Sequence, residues 1–295
     1  MELARLKPDP IPTIHPMPEY LAKGQRLAWY KDMQNVLQVP WMGVVTMAFS
    51  HYPHFYKTLW DGARGLCASQ PYVEACLENR AFAEDQVKGL NPTPLCSKLA
   101  ALGYAPREIA GIRRMIEIFS HGNQPYLIMA TLARYLLEGG EMEGSVVPDT
   151  IPAFKGRHAP DNDVPFVLME AHHADPDTRA VYDDIKAVLG LPFVNTDYRA
   201  LARWPSYWQL AWADIRPALL AAKTDPICDE LHRRSVDLIR DGLPNPGCLS
   251  SSALIQAARQ DAPLLDEVIN MCRLFQWLLP GLVTNVAYLR AQLAE

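Results

Sequence analysis

YKDMQNVLQVPWMGVVTMAFSHYPHFYKTLWDGAR, residues 30–64, returns without a gap as YDDIKAVLGLPFVNTDYRALARWPSYWQLAWADIR, residues 182–216. The offset is 152, and the identities are Tyr30/Tyr182, Asp32/Asp184, Val36/Val188, Leu37/Leu189, Pro40/Pro192, Ala48/Ala200, Pro53/Pro205, Trp60/Trp212 and Arg64/Arg216. Chance at average composition would give about two. Each copy reads as a helix ending in a short apolar loop, then a second helix broken at Tyr52-Pro53 or Trp204-Pro205. Such a duplication usually builds two like halves about a pseudo-twofold axis.

The copies differ at a few telling places. In register, Asp197 of the second copy stands where the first has Val45. Downstream the match loosens: Gly89-Leu90 answers Gly242-Leu243, Met115 and Phe119 answer Met271 and Phe275, and Pro125 answers Pro280. Aligning the prolines gives an offset of 155 and sets Asn123 opposite Leu278. Each half thus keeps one polar residue where its counterpart is apolar. A helix start that can be made with Val45 does not require a carboxylate, and an apolar counterpart points to a pocket rather than to solvent.

At 295 residues the chain is long enough for two domains, and either half can bury a core. A hydrophobic fraction of 49% with 21% charged residues is ordinary for a soluble globular protein. The net charge of −5, with no Lys/Arg-rich stripe, argues against a nucleic-acid partner. The start, MELARLKPDPIPTIHPMPEY, lacks the pattern of a secretory signal, and no apolar run reaches about 18 residues; a cytoplasmic protein without a membrane partner is expected. Cys67, Cys76, Cys96, Cys228, Cys248 and Cys272 form no C-x-x-C pair and read as buried free thiols.

Residues 1–20, rich in proline, read as an extended arm. From 21 to 138 apolar residues recur three and four apart, as in REIAGIRRMIEIF and YLIMATLARYLLE, the latter stopped by Gly139-Gly140. Residues 139–173 carry Gly, Pro and acidic residues without period and read as a connector. Helical pattern returns at ADPDTRAVYDDIKAVLG, with Asp177 or Thr178 as cap, and fills 174–295. The expectation is an all-α fold in which two homologous helical halves form an intramolecular pseudo-dimer.

PFVNTDYRALARWP puts Asn195, Thr196 and Asp197 at a helix start. There Asp197 either serves the helix, through capping and the dipole, or acts as a fixed base beside N–H groups that hold a small carboxylate. Asn123, just before Pro125 at a favoured first-turn position, is either a cap or an amide facing a ligand. His51 and His54 share an H-x-x-H spacing, yet their counterparts are Arg203 and Ser206 and no carboxylate partner stands out. His172-His173 read as surface residues, and Asp161 to Asp163 are too short for a calcium loop. No metal is expected. Nucleotide, phosphate-loop, nucleophile-elbow and zincin motifs are missing. Trp41, Trp60, Trp204, Trp208 and Trp212 read as core, with Trp41 also placed to line a pocket at Val45.

Through the duplicated YxDxxxVLxxP blocks, VPWMGVV, PFVNTDYRALARWP and HGNQP, the chain resembles the group I 2-haloacid dehalogenases over nearly its whole length. The resemblance implies a hydrolase that converts short D-2-haloalkanoic acids to 2-hydroxy acids with inversion and needs no cofactor. Its partners would be the small acid and water. It makes Asp197 the residue that activates water, and Asn123 the residue that helps hold that water or the substrate. Backbone amides at the helix start would hold the substrate carboxylate, Trp41, Val44 and Val45 would surround the halogen, and Asn195, Thr196 and Tyr126 complete the expected substrate contacts. A homodimer is compatible with the sequence. Two alternatives stand beside this: an alkylhydroperoxidase D-like helical protein, which the missing C-x-x-C disfavours, and a noncatalytic helical repeat protein that binds a small acid.

Members of that family accepting both enantiomers are associated with a small Ala two residues before the aspartate, where this chain has Asn195. A bulky amide there crowds the position of an L-substituent, so the resemblance implies D-specificity. Asn195→Ala is expected to admit some L-2-chloropropionate, measured as chloride release; no gain at all would refute the steric account.

Overall fold

The computed structural model describes residues 3–144, 146–147, 151–262 and 265–294. Its helices are α1 (Gly24–Leu37), α2 (Val44–Phe49), α3 (Pro53–Cys67), α4 (Gln70–Gln86), α5 (Cys96–Ala101), α6 (Pro106–Leu137), α7 (Pro176–Leu189), α8 (Thr196–Leu201), α9 (Pro205–Leu220), α10 (Asp225–Asp237), α11 (Ser251–Asp261) and α12 (Leu265–Gln292). The fold is all-α: the described residues contain no strand, and an isolated bridge pairs Ser69 with Ala153. No helix among them is long and apolar enough to cross a membrane.

The two copies of the repeat are built alike. α7, α8 and α9 begin 152 residues after α1, α2 and α3. α1 closes on Gln38 at φ 51° and α7 on Gly190 at φ 60°, the left-handed conformation that turns the chain into the apolar loop. Glycine takes it freely, whereas a side chain costs about 1 kcal/mol. Gln38 offsets that cost by donating to Gly156 O (3.0 Å) and accepting from His158 N (3.0 Å). Pro53 and Pro205 then open α3 and α9, where a helix does not miss the absent N–H.

One carboxylate closes each copy. Asp32 accepts from Trp60 Nε1 (2.9 Å) and pairs with Arg64 through two bonds (2.8 and 2.9 Å). Asp184 does the same with Trp212 (2.7 Å) and Arg216 (2.7 and 2.9 Å). The likeness also reaches upstream of the aligned block. Tyr30 OH donates to Met17 O and Met17 N–H to Met47 O; Tyr182 OH donates to Met169 O and Met169 N–H to Arg199 O. Met17 and Met169 lie in stretches whose composition reads as arm and connector, so the periodicity of the helices gives no hint of this pairing.

Several local expectations are corrected. Asp175, not Asp177 or Thr178, caps α7: its carboxylate accepts from Thr178 N (2.9 Å) and Thr178 Oγ1 (2.8 Å), and Pro176 takes the first helical position. The thiols are free, but Cys248 is exposed and Cys76 and Cys96 are half-buried, leaving only Cys67, Cys228 and Cys272 in the core. α6 passes unbroken through Asn123 and Pro125, as α12 passes through Pro280. An internal proline costs a helix roughly 3 kcal/mol. In α6 every residue from 118 to 137 is buried, and at about 1.5–3 kcal/mol for each large apolar side chain that burial outweighs the break.

The chain divides into two compact units along a different line from the sequence halves 21–138 and 174–295. The first comprises Met1–Asn79, His121–Ala159 and Asp229–Pro280; the second comprises Arg80–Ser120, Pro160–Cys228 and Gly281–Glu295. Within the first, α3 packs on α11, and Gly247 is needed because a Cβ there would overlap the Gly62 backbone. Within the second, α7 packs on α9, and the Asp214 carboxylate gathers Thr93 N (3.0 Å), Tyr288 OH (2.9 Å) and Gln292 Nε2 (2.8 Å).

Hydrogen bonds from Arg64 and from Arg216 hold the Asp32 and Asp184 carboxyls below the usual carboxylate range. A lowered acid gives stability that is present above its unfolded value near 4 and is lost as pH falls through the folded one. Asp184→Asn is expected to lower the unfolding midpoint by about 2 °C at pH 7 and, combined with Asp32→Asn, to flatten the loss of stability below pH ~4, as followed by circular dichroism.

Candidate active site

In the second unit, Asn195 occupies the N-cap position of α8 with extended backbone (φ −66°, ψ 155°), and its carbonyl accepts from Arg199 N (3.1 Å). Its side chain makes no cap; Asn195 Oδ1 is buried without a hydrogen-bond partner. Thr196 and Asp197 form the first turn, and both are buried, with Asp197 only 3% exposed. Carboxylates are almost never this buried unless paired. Tyr198, next in the chain, stacks on Trp208 (ring centroids 5.3 Å, 25°) and leans on Trp212 (6.2 Å). Burial pushes the Tyr198 hydroxyl well up, a hydrogen bond from Asn285 opposes this, and the Asp197 charge adds to the rise. The base candidate is therefore followed by a neutral phenol in an aromatic nest.

In the first unit, the equivalent helix start has Gly43 as N-cap and Val44 and Val45 in the first turn, with Val45 buried and Val44 half-buried. Thr46 Oγ1 turns back to Gly43 O (3.0 Å). Tyr126 OH donates to Trp41 O (2.7 Å), and the two rings meet edge to face at 5.9 Å. Gly43 is required here, since a Cβ would come within 2.8 Å of the Tyr126 ring. Gly122 on α6 is required for the same reason: a Cβ there would overlap the Trp41 indole. Asn123 follows it, 3% exposed, and then Gln124, whose Oε1 is buried and unpartnered. The structure thus brings Trp41, Gly43 and Tyr126 together and sets Asn123 one residue from the Trp41 contact.

Asn123 lies well inside α6, so the expected first-turn position is corrected. Its amide is not needed to close a helix end, and the proline that suggested one is carried within the helix. His54 also differs from expectation: its Nδ1 lies 2.6 Å from Asp261 Oδ1, a carboxylate more than 200 residues away that local pattern cannot reveal. His51 faces His15 instead, with ring centroids 5.0 Å apart. His172 and His173 are exposed and pack on each other. No group of three or more His, Cys, Asp or Glu among the described residues is placed to hold a metal. Two surface clefts, about 830 Å³ beside Glu84 and Arg290 and about 550 Å³ beside Arg5 and Asp237, include none of the predicted site residues.

No family model matches the chain. It is 43% identical over 84% of its length to an (R)-2-haloacid dehalogenase of Rhizobium sp. (strain NHG3), covering 95% of that protein. It is 33% identical over 95% of its length to an (R)-2-haloacid dehalogenase of Pseudomonas putida, covering 92% of it. The chain belongs to the group I 2-haloacid dehalogenase family. Within that family it stands with the D-specific members, since (R) and D name the same hand here. The crystal structure of a D-2-haloacid dehalogenase mutant superposes with a TM-score of 0.87 at 30% identity, over 97% of this chain and 98% of the other.

Gly122→Ala tests the packing of Trp41 on α6. Overpacking of this kind costs about 1–3 kcal/mol, so a lower unfolding midpoint and a shifted tryptophan emission are expected, together with slower dehalogenation.

Proposed function

We propose that the chain hydrolyses short D-2-haloalkanoic acids to 2-hydroxy acids with inversion, Asp197 acting as general base on a water that attacks the α carbon. The observation that carries this is the burial of Asp197 at a helix start that the other copy of the repeat builds with Val45, in a chain of this family. Water oxygen attacks opposite the halogen, the carbon–halogen bond breaks, and halide leaves with the electron pair. The water proton passes to the Asp197 carboxylate, which later returns it to solvent. An ionised aspartate is a weak base, but it takes a proton from water that is already committing to attack, if both are held at hydrogen-bond distance.

The other roles follow the chemistry of each residue. Asn123 supplies an amide to the water or to the substrate. First-turn N–H groups of α8, with Thr196, favour the substrate carboxylate. Trp41, Val44, Val45 and Tyr126 provide apolar surface for the halogen and the alkyl group. Asn195, whose buried amide oxygen has no partner, crowds the side on which an L-substituent would lie. No organic cofactor or metal enters this scheme. The partners are a small acid and water, in the cytoplasm, with neither nucleic acid nor membrane; a homodimer remains compatible with it.

Asp197→Asn is expected to lower chloride release from D-2-chloropropionate by about 10²–10⁴-fold with little change in the unfolding midpoint. Retained turnover would overturn the assignment. Single-turnover hydrolysis in heavy-oxygen water separates direct attack, which labels only the product, from an aspartyl ester, which labels the enzyme carboxylate.

A further inference from the structure

The second unit contains a polar pair that the scheme above leaves unused. Tyr198 OH accepts a hydrogen bond from Asn285 Nδ2 on α12 at 2.7 Å. Both residues are buried, and neither has a like counterpart in the first copy. Tyr198 corresponds to Thr46, whose hydroxyl serves its own helix start, and on the Pro125/Pro280 alignment Asn285 corresponds to Ala130. The repeat therefore replaces two residues without mutual bonding by a bonded pair, on the copy that carries Asp197 and at the residue next to it.

The pair is costly as packing alone. Asn285 Oδ1 is buried with no hydrogen-bond partner, and an unsatisfied amide oxygen is a poor exchange for the alanine that the equivalent helix uses. A tether has a clear use here, because α8 has only six residues and a helix that short does not fix its own orientation. The Tyr198 ring is clamped by Trp208 and Trp212, and the Asn285 bond fixes its far end. The phenol is kept neutral by burial and by the nearby Asp197 charge, so it remains a fixed dipole beside the base.

We propose that Asn285 is a positioning residue for Asp197, acting through Tyr198 to set the rotation of α8 and with it the direction of the carboxylate. This rests on Asp197 being the base, which Asp197→Asn tests separately. Small displacements of a reacting group can cost as much as 10²-fold. Asn285→Leu and Tyr198→Phe are each expected to lower kcat about tenfold while KM for D-2-chloropropionate stays within about twofold, and the double variant to be no slower than the worse single one. Asn285→Asp, which keeps the shape and adds a negative charge near Asp197, is expected to move the acid limb of kcat/KM to higher pH. If Asn285→Leu fails to fold, Tyr198→Phe, which keeps the ring, and Asn285→Asp decide the matter. Unchanged kcat in the single variants, or additive losses that track a falling unfolding midpoint with no movement of the acid limb, would overturn the proposal. Should Asp197→Asn stay active, the general-base assignment itself fails; if that variant is inactive while these retain full kcat, only the role of Asn285 fails.

Discussion

Each copy of the repeat is held closed by a carboxylate on its first helix that binds the indole and the guanidinium of its third. Asp32 and Asp184 thereby fix the third helix of each copy against the first, across the loop and the short helix that lie between. The apolar loop, the short helix and the proline-led turn form a span whose backbone hydrogen bonds are almost all local, such as Thr46 N–H to Gly43 O and Arg199 N–H to Asn195 O. A two-point carboxylate–guanidinium pair has fixed geometry as well as strength, and the indole bond adds a third point of attachment between the first and third helices. Trp60 and Trp212 remain buried through this contact despite their polar N–H.

On that common frame the copies diverge by chemistry alone. At the second position of the short helix, valine gains roughly 1.5–3 kcal/mol by burial, whereas an ionised carboxylate loses several kcal/mol of solvation in the same kind of site. The first copy takes the stable option and the second the costly one. Function is then expected where the duplication gave up stability. The same comparison marks Asn195 against Gly43 and the Tyr198–Asn285 pair against Thr46 and Ala130.

Helix content, the repeat and its odd carboxylate were all legible in the sequence, because they depend on local periodicity and on residues compared at fixed offset. Asn123 stands out in the sequence as a polar residue opposite an apolar one, but its setting inside a helix does not. Proline is normally a terminator, and only the burial of α6 on all sides, a tertiary property, keeps the helix going through Pro125. Two other capping residues follow Asp175 closely and compete with it in the sequence, and it is Pro176 that fixes the choice. The His54–Asp261 contact and the Asn285–Tyr198 bond join residues 207 and 87 positions apart. No pattern within a single helix can encode such pairings.

Neither compact unit is a continuous length of chain; each is stitched from three stretches, and α6 and α12 contribute residues to both. Deleting either sequence half, 21–138 or 174–295, would remove part of each body rather than the whole of one. A gene organised in this way cannot be pared back to a single copy by one excision. Its two copies are free to drift apart in sequence, but they are bound to be inherited together.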